Sequence, residues 1–238
     1  MWLFPLSAAA VSGVFAAIVL RRSLDRQRPH ELAWGIALLM FAGASFAAAM
    51  GILGGWSGFK FRTYYLFGAI INVPFLGLGT LYLLVPRKVA HAAAAIVIVA
   101  SIYAAGAVFT AQLDTSGLNV TGSIPPGSKV VPEAVRTLSR YFSYAGFFVV
   151  VGGALASAWR LSRSRGVAAR RLASANILIA TGTFVVAVAS GFARYGGGSV
   201  FAVGLLAGVT LMFVGFMRTL IQPQPPPMDS IDEGRGPG

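Results

Sequence analysis

Seven stretches of the chain are apolar almost without interruption, and its polar residues collect in the segments between them. The stretches are 3–20, 32–53, 64–85, 89–110, 141–159, 172–192 and 199–220. A helix needs roughly 20 apolar residues to cross a bilayer, and each stretch meets or approaches that length. None contains Asp, Glu, Lys or Arg apart from Arg218 near the end of the last, where a long side chain can reach the surface. The pattern predicts an all-α integral membrane protein of seven transmembrane helices. The first stretch has no basic residues ahead of it and is followed directly by Arg21 and Arg22, which reads as an anchor rather than a cleaved leader.

The charges flanking these stretches predict an orientation. One side collects Arg21, Arg22, Arg26, Arg28, Arg87, Lys88, Arg160, Arg163, Arg165, Arg170, Arg171, Arg218 and Arg235, thirteen in all; the other collects Lys60, Arg62, Lys129, Arg136, Arg140 and Arg194, six in all. The positive-inside rule then places the N-terminus outside and the C-terminus in the cytoplasm. The longest connection, 111–140, becomes extracytoplasmic. Its part from Asp114 to Lys129 is rich in Gly, Ser, Thr and Pro and reads as irregular. Pro132-Glu133 has the character of a helix start, so the fifth helix is expected to begin there and project beyond the membrane. The Pro-rich tail, 222–238, is expected to be disordered and cytoplasmic.

Composition narrows the function. Of 238 residues 56% are hydrophobic and 11% charged, with a mean hydropathy of +0.75, against about a quarter charged in soluble domains. The net charge of +12 does not indicate a nucleic-acid partner, because the basic residues border apolar runs as membrane topology requires. Sixteen of the nineteen basic residues are Arg, and with the abundance of Ala, Gly and Val this fits GC-rich bacterial coding and a bacterial inner (plasma) membrane. With no cysteine and only His30 and His91, thiolate chemistry and a three-histidine metal site are excluded. His30 reads as part of an aqueous Arg-rich loop, which argues against bis-histidine haem. The last helix has no lysine to carry retinal. Asn119-Val120-Thr121 matches a glycosylation sequon that has no meaning in a bacterial protein. No cofactor is expected.

An internal repeat underlies the helix order. An offset of 140 residues aligns Leu32-Ala33 with Leu172-Ala173, Leu38 with Leu178, Ala47 with Ala187, Ala49 with Ala189 and Gly51 with Gly191. The Arg-rich segment 21–28 falls on 160–171, and after a short gap Gly68 and Gly79 meet Gly204 and Gly215. Helices 1–3 would then repeat as helices 5–7, in the same orientation, with helix 4 as linker: a parallel repeat about the membrane normal. This layout resembles the three-plus-one-plus-three plan of the SWEET and PQ-loop sugar and amino-acid carriers. Their Pro-Gln signature is absent, since Pro5 precedes Leu6 and the fifth stretch has no proline.

Few residues in the spans carry chemistry. Asn72-Val73-Pro74 puts an amide beside a proline that frees a backbone carbonyl; it reads either as one wall of a central binding site or as a bond between helices. The run from Trp56 through Lys60 and Arg62 to Tyr65 alternates aromatic and basic residues, as a cradle for an anionic or lipid headgroup would, and as an interfacial belt would. The candidate ligand-binding set is therefore Asn72, Pro74, Arg62, Tyr65 and Trp56. Small residues such as Gly43, Gly77, Gly79, Gly152, Gly153, Gly204 and Gly208 permit close helix approach, within the bundle or onto a membrane-protein partner or a second copy. No carboxylate falls inside any stretch, which argues against a proton relay or cation site, and no catalytic grouping is evident. The expected function is a small carrier or binder of a neutral or lipidic molecule without ion coupling. The rival is a non-catalytic accessory or sensor subunit packed against a larger membrane complex.

Overall fold

A computed structural model describes residues 1–163, 167–194 and 198–220. The tail 222–238 lies outside the described residues. Seven helices long and apolar enough to cross a membrane make up nearly all of them: α1 (Leu3–Arg26), α2 (Pro29–Gly54), α3 (Gly58–Leu84), α4 (Arg87–Thr110), α5 (Glu133–Ser162), α6 (Val167–Arg194) and α7 (Gly198–Leu220). The described residues contain no strand.

Connections of two or three residues join α1 to α2, α2 to α3 and α3 to α4 and enforce antiparallel neighbours there. Between α1 and α2, Gln27 takes the left-handed conformation (φ 47°) that ends a helix, and Pro29 opens the next one, where its missing N–H costs nothing. Helices α1, α2, α3, α5, α6 and α7 pack each on the next, and α7 packs back on α1. The six form a closed ring. Helix α4 sits outside it, touching α3 and, sparsely, α5, and buries only Ala90, Ala104 and Val108.

Lipid tails are as apolar as the helices, so close packing rather than the hydrophobic effect holds such a ring. The α6–α7 seam shows how. Gly182 and Gly208 face each other so closely that a Cβ on either would strike the other's carbonyl oxygen. Aromatic contacts close α1 on α7, with Phe15 5.2 Å from Phe213 and 5.1 Å from Phe216 between ring centroids.

Three sequence expectations change. Helix α3 begins at Gly58, six residues before the predicted 64, because Ser57 caps it by accepting from the Lys60 amide at 3.2 Å. Helix α2 begins at Pro29, which brings His30 and Glu31 into its first turn instead of an aqueous loop. Glu31 is 2% exposed, ringed by Arg22 (3.0 Å), Arg28 (3.4 Å) and His30 (3.9 Å), so one span does hold a buried carboxylate. The connection from 111 to 132 is not simply irregular. A 3-10 turn at Thr115–Leu118 and a helical turn at Gly127–Val130 fold it over the end of α3, burying Leu118, Ile124, Val130 and Val131.

Candidate functional site

The ring encloses a cavity of about 600 Å³ in its half nearest the 111–132 segment, walled by α2, α3, α5, α6 and α7. Binding pockets for small molecules typically measure about 300–1,000 Å³ and are mostly apolar with a few placed polar groups. Here the apolar lining includes Phe41, Tyr64, Tyr65, Phe147, Phe148, Phe201 and Met212, and the segment Ile124 to Ser128 covers the end.

The α3 wall is built around Pro74. Pro74 has no N–H to return to the preceding turn, and residues Leu66–Ile71 widen into a π-helical turn, a distortion common at functional sites. The Ala69 carbonyl in that turn accepts hydrogen bonds from Ser139 Oγ (2.8 Å) and Ser143 Oγ (2.9 Å) of α5. Four residues apart, the two serines share one face of α5. Gly146 continues that face, and a Cβ there would lie 2.6 Å from the Val73 carbonyl and 2.7 Å from Pro74 N. The proline, two serines and a glycine thus fix α3 against α5 and set the height of Asn72 in the wall.

Asn72 lines the cavity and is 3% exposed. Its Oδ1 has no hydrogen-bond partner among the described residues. Four hydroxyls on α3, α5 and α6 donate to backbone carbonyls instead: Ser139 and Ser143 to Ala69, Thr80 to Leu76 at 3.2 Å, and Thr183 to Ile179 at 2.9 Å. Tyr65 also lines the cavity, its ring stacked on Phe61 at 5.7 Å.

The other three sequence candidates lie outside the lining. Pro74 is buried against α5. Arg62 donates to the carbonyls of Val108 (2.8 Å), Phe109 (3.1 Å) and Ala111 (2.9 Å), capping the C-terminal end of α4, where exposed carbonyls favour a cation. Lys60 does the same for α2 through Gly55 O at 2.8 Å. Trp56 Nε1 donates to Ser123 O at 2.9 Å and pins the covering segment next to Ile124.

The N-terminal end of α5 was not among the sequence candidates. Glu133, Arg136 and Arg140 line the mouth, where both guanidinium groups pair with the Glu133 carboxylate. Arg136 also donates to Ser128 O at 3.1 Å, holding the covering segment down. Within that segment Asp114 Oδ1 accepts from Ser116 Oγ at 2.6 Å and Ser116 N at 2.9 Å, which keeps its carboxyl below the usual carboxylate range. A sequence signal for the α5 wall existed in the spacing of Ser139, Ser143, Gly146 and Gly153, small residues at helical spacing on one face.

Nucleophile and base pairs are absent from the described lining, and no group of three or more potential metal ligands occurs among the described residues. The arrangement can hold a largely apolar molecule against one amide. Comparison with family models, curated proteins and solved structures finds no match to this chain.

Proposed function

We propose that the chain binds a neutral or lipidic small molecule in the cavity between α2, α3, α5, α6 and α7, as a carrier or a binding protein of carrier-like build. The observation that carries this is the Asn72 amide, set into the wall of a largely apolar cavity with no hydrogen-bond partner for its Oδ1 among the described residues. A buried amide left unpaired costs about 1–3 kcal/mol in proteins, a penalty that an occupant with a hydrogen-bonding group removes. Below the mouth the described lining contains no ionisable acid or base other than tyrosine, which supports binding without ion coupling. Glu31 lies at the opposite, arginine-rich end of the ring and is not in that lining.

The carrier reading draws on the order of packing. Helices α1–α2–α3 follow one another around the ring as α5–α6–α7 do, the two sets meet at α3–α5 and α7–α1, and α4 lies outside as a linker would. That order supports a parallel three-plus-one-plus-three repeat, and the likeness to SWEET and PQ-loop carriers is one of helix order. The charge asymmetry supports an outside N-terminus and a cytoplasmic C-terminus in a bacterial plasma membrane, which would put the cavity in the outer half. One observation favours the accessory-subunit reading: α4 turns Ala92, Ala95, Val99, Tyr103 and Gly106 outward, an apolar face with small residues.

Binding of a neutral apolar fluorophore, N-phenyl-1-naphthylamine, to the purified protein tests the proposal. Ala187 lines the cavity with an exposed side chain, so Ala187→Trp fills space without displacing a packed neighbour. Saturable binding lost in Ala187→Trp is expected. Equal binding by both proteins would overturn the cavity as the site.

A further inference from the structure

The cavity has a rim, and the rim identifies the kind of ligand. Five of its lining residues are exposed: Ser128 and Glu133 at the covered end, then Tyr144 and Phe148 on α5 and Ala187 on α6. Tyr144 is 52% and Phe148 70% exposed. The opening therefore runs as a cleft between α5 and α6 from the end of the helices down into their apolar length. A cleft at that level faces hydrocarbon, so what enters sideways is a molecule dissolved in the bilayer.

At the upper end of the cleft two arginines share one carboxylate. Arg136 and Arg140 against Glu133 leave one unbalanced positive charge. Arg140 makes its bonds to Glu133 and, at 3.0 Å, to Thr137 Oγ1, all within its own helix, so its remaining N–H groups are open to an acceptor. Asn72 sits deeper. Its neighbour Val73 abuts Gly146, which lies six residues below Arg140 and ten below Arg136, or ~9 and ~15 Å at the rise of an α-helix.

Resting on the binding function proposed above, we infer that the ligand is an anionic amphiphile. It enters between α5 and α6 with its charged headgroup at Arg136 and Arg140, and its apolar body carries a hydroxyl or N–H near Asn72. A hydroxyl suits that place because it both donates and accepts, and so satisfies an amide presented either way round. Bilayer phospholipid and a free single-chain acid share the headgroup chemistry.

Three probes separate the two anchors in neutral detergent, read by calorimetry or by displacement of the naphthylamine fluorophore. 10-Hydroxydecanoate carries both groups at about the required separation; decanoate lacks the hydroxyl, and 1,10-decanediol lacks the charge. The expected order is 10-hydroxydecanoate tightest, with each single-anchor probe weaker by about three- to tenfold, the worth of a partly exposed ion pair or one hydrogen bond. Arg140→Gln should weaken both acids and leave the diol unchanged. Glu133→Gln should act in the opposite sense, tightening both acids by freeing the two guanidinium groups. Asn72→Leu should reduce 10-hydroxydecanoate to the affinity of decanoate. Displacement of the bound acid by phosphatidylglycerol would identify bilayer lipid as the source of the headgroup, and failure to displace it a single-chain acid; either outcome supports the anionic amphiphile. Equal binding of diol and acids, indifferent to Arg140→Gln and Glu133→Gln, would overturn the inference while the neutral fluorophore still reports the cavity. Loss of that fluorophore's binding as well would overturn the underlying function.

Discussion

Replacing Asn72 by leucine should stabilise the ligand-free protein. Asn72 is 3% exposed, and its Oδ1 meets no donor among the described residues. An unpaired buried amide costs about 1–3 kcal/mol by mutational estimates. Leucine has the same number and branching of side-chain heavy atoms and faces the cavity, so the change removes the amide without opening a void. Helix propensity alone favours Leu over Asn by about half a kcal/mol, so a gain near 1 kcal/mol or more is the supporting result. An asparagine that stapled two helices would behave in the opposite way: the variant would lose about 0.6 kcal/mol, and at most about 1.7, the range measured for hydrogen bonds inside membranes. Unfolding by titration with a denaturing detergent in mixed micelles reads the sign directly. Lower stability in Asn72→Leu would refute the reasoning, because it would mean that a protein partner had satisfied the amide all along.

Other consequences follow from the bonds that build the site. Ser139→Ala and Ser143→Ala should each cost under about 0.6 kcal/mol, since the other hydroxyl still serves the Ala69 carbonyl, whereas the double variant should cost about 1–2 kcal/mol; additive losses in a double-mutant cycle would contradict the shared acceptor. Arg62→Ala should leave the α4 C-terminus uncapped and speed amide exchange across residues 105–111, with little effect elsewhere; uniform exchange would refute the cap. Because the fold depresses the Asp114 pKa, its contribution is present above the unfolded value of about 3.9 and lost as pH falls through the lower folded value. Proteolytic cleavage of the 111–132 segment should accordingly rise only below about pH 4, and Asp114→Asn should abolish that dependence; cleavage rising near neutral pH would contradict it.

The helices were legible because each is an apolar run bounded by charge, which is the dominant constraint on a chain in a bilayer. Their ends were not. Lys60 and Arg62 lower the apolarity of the first turns of α3, and only their bonds to the ends of α2 and α4 explain why helix is favoured there. Glu31 stands in a charged flank between two apolar runs, and its burial depends on Arg22 arriving from α1 across a two-residue turn. Asn72 was conspicuous as the amide in an apolar run, and Tyr65 as the last of an aromatic series, and both line the cavity. Arg136 and Arg140 were not, since their place at its mouth follows from α5 being packed along α3 through Ser139, Ser143 and Gly146. The cover over the cavity was hidden for a similar reason: Gly- and Pro-rich sequence carries no periodic signal, and the burial of Leu118, Ile124 and Val130 arises from tertiary contact.

Native mass spectrometry of the protein released from mild detergent tests most directly whether this cavity holds a ligand. The wild-type chain should fly with a small amphiphile bound at defined mass, and Ala187→Trp, which fills the cavity without touching the Arg136–Glu133–Arg140 group or Asn72, should fly without it. The same adduct on both proteins would place the molecule on the outer surface and contradict the account.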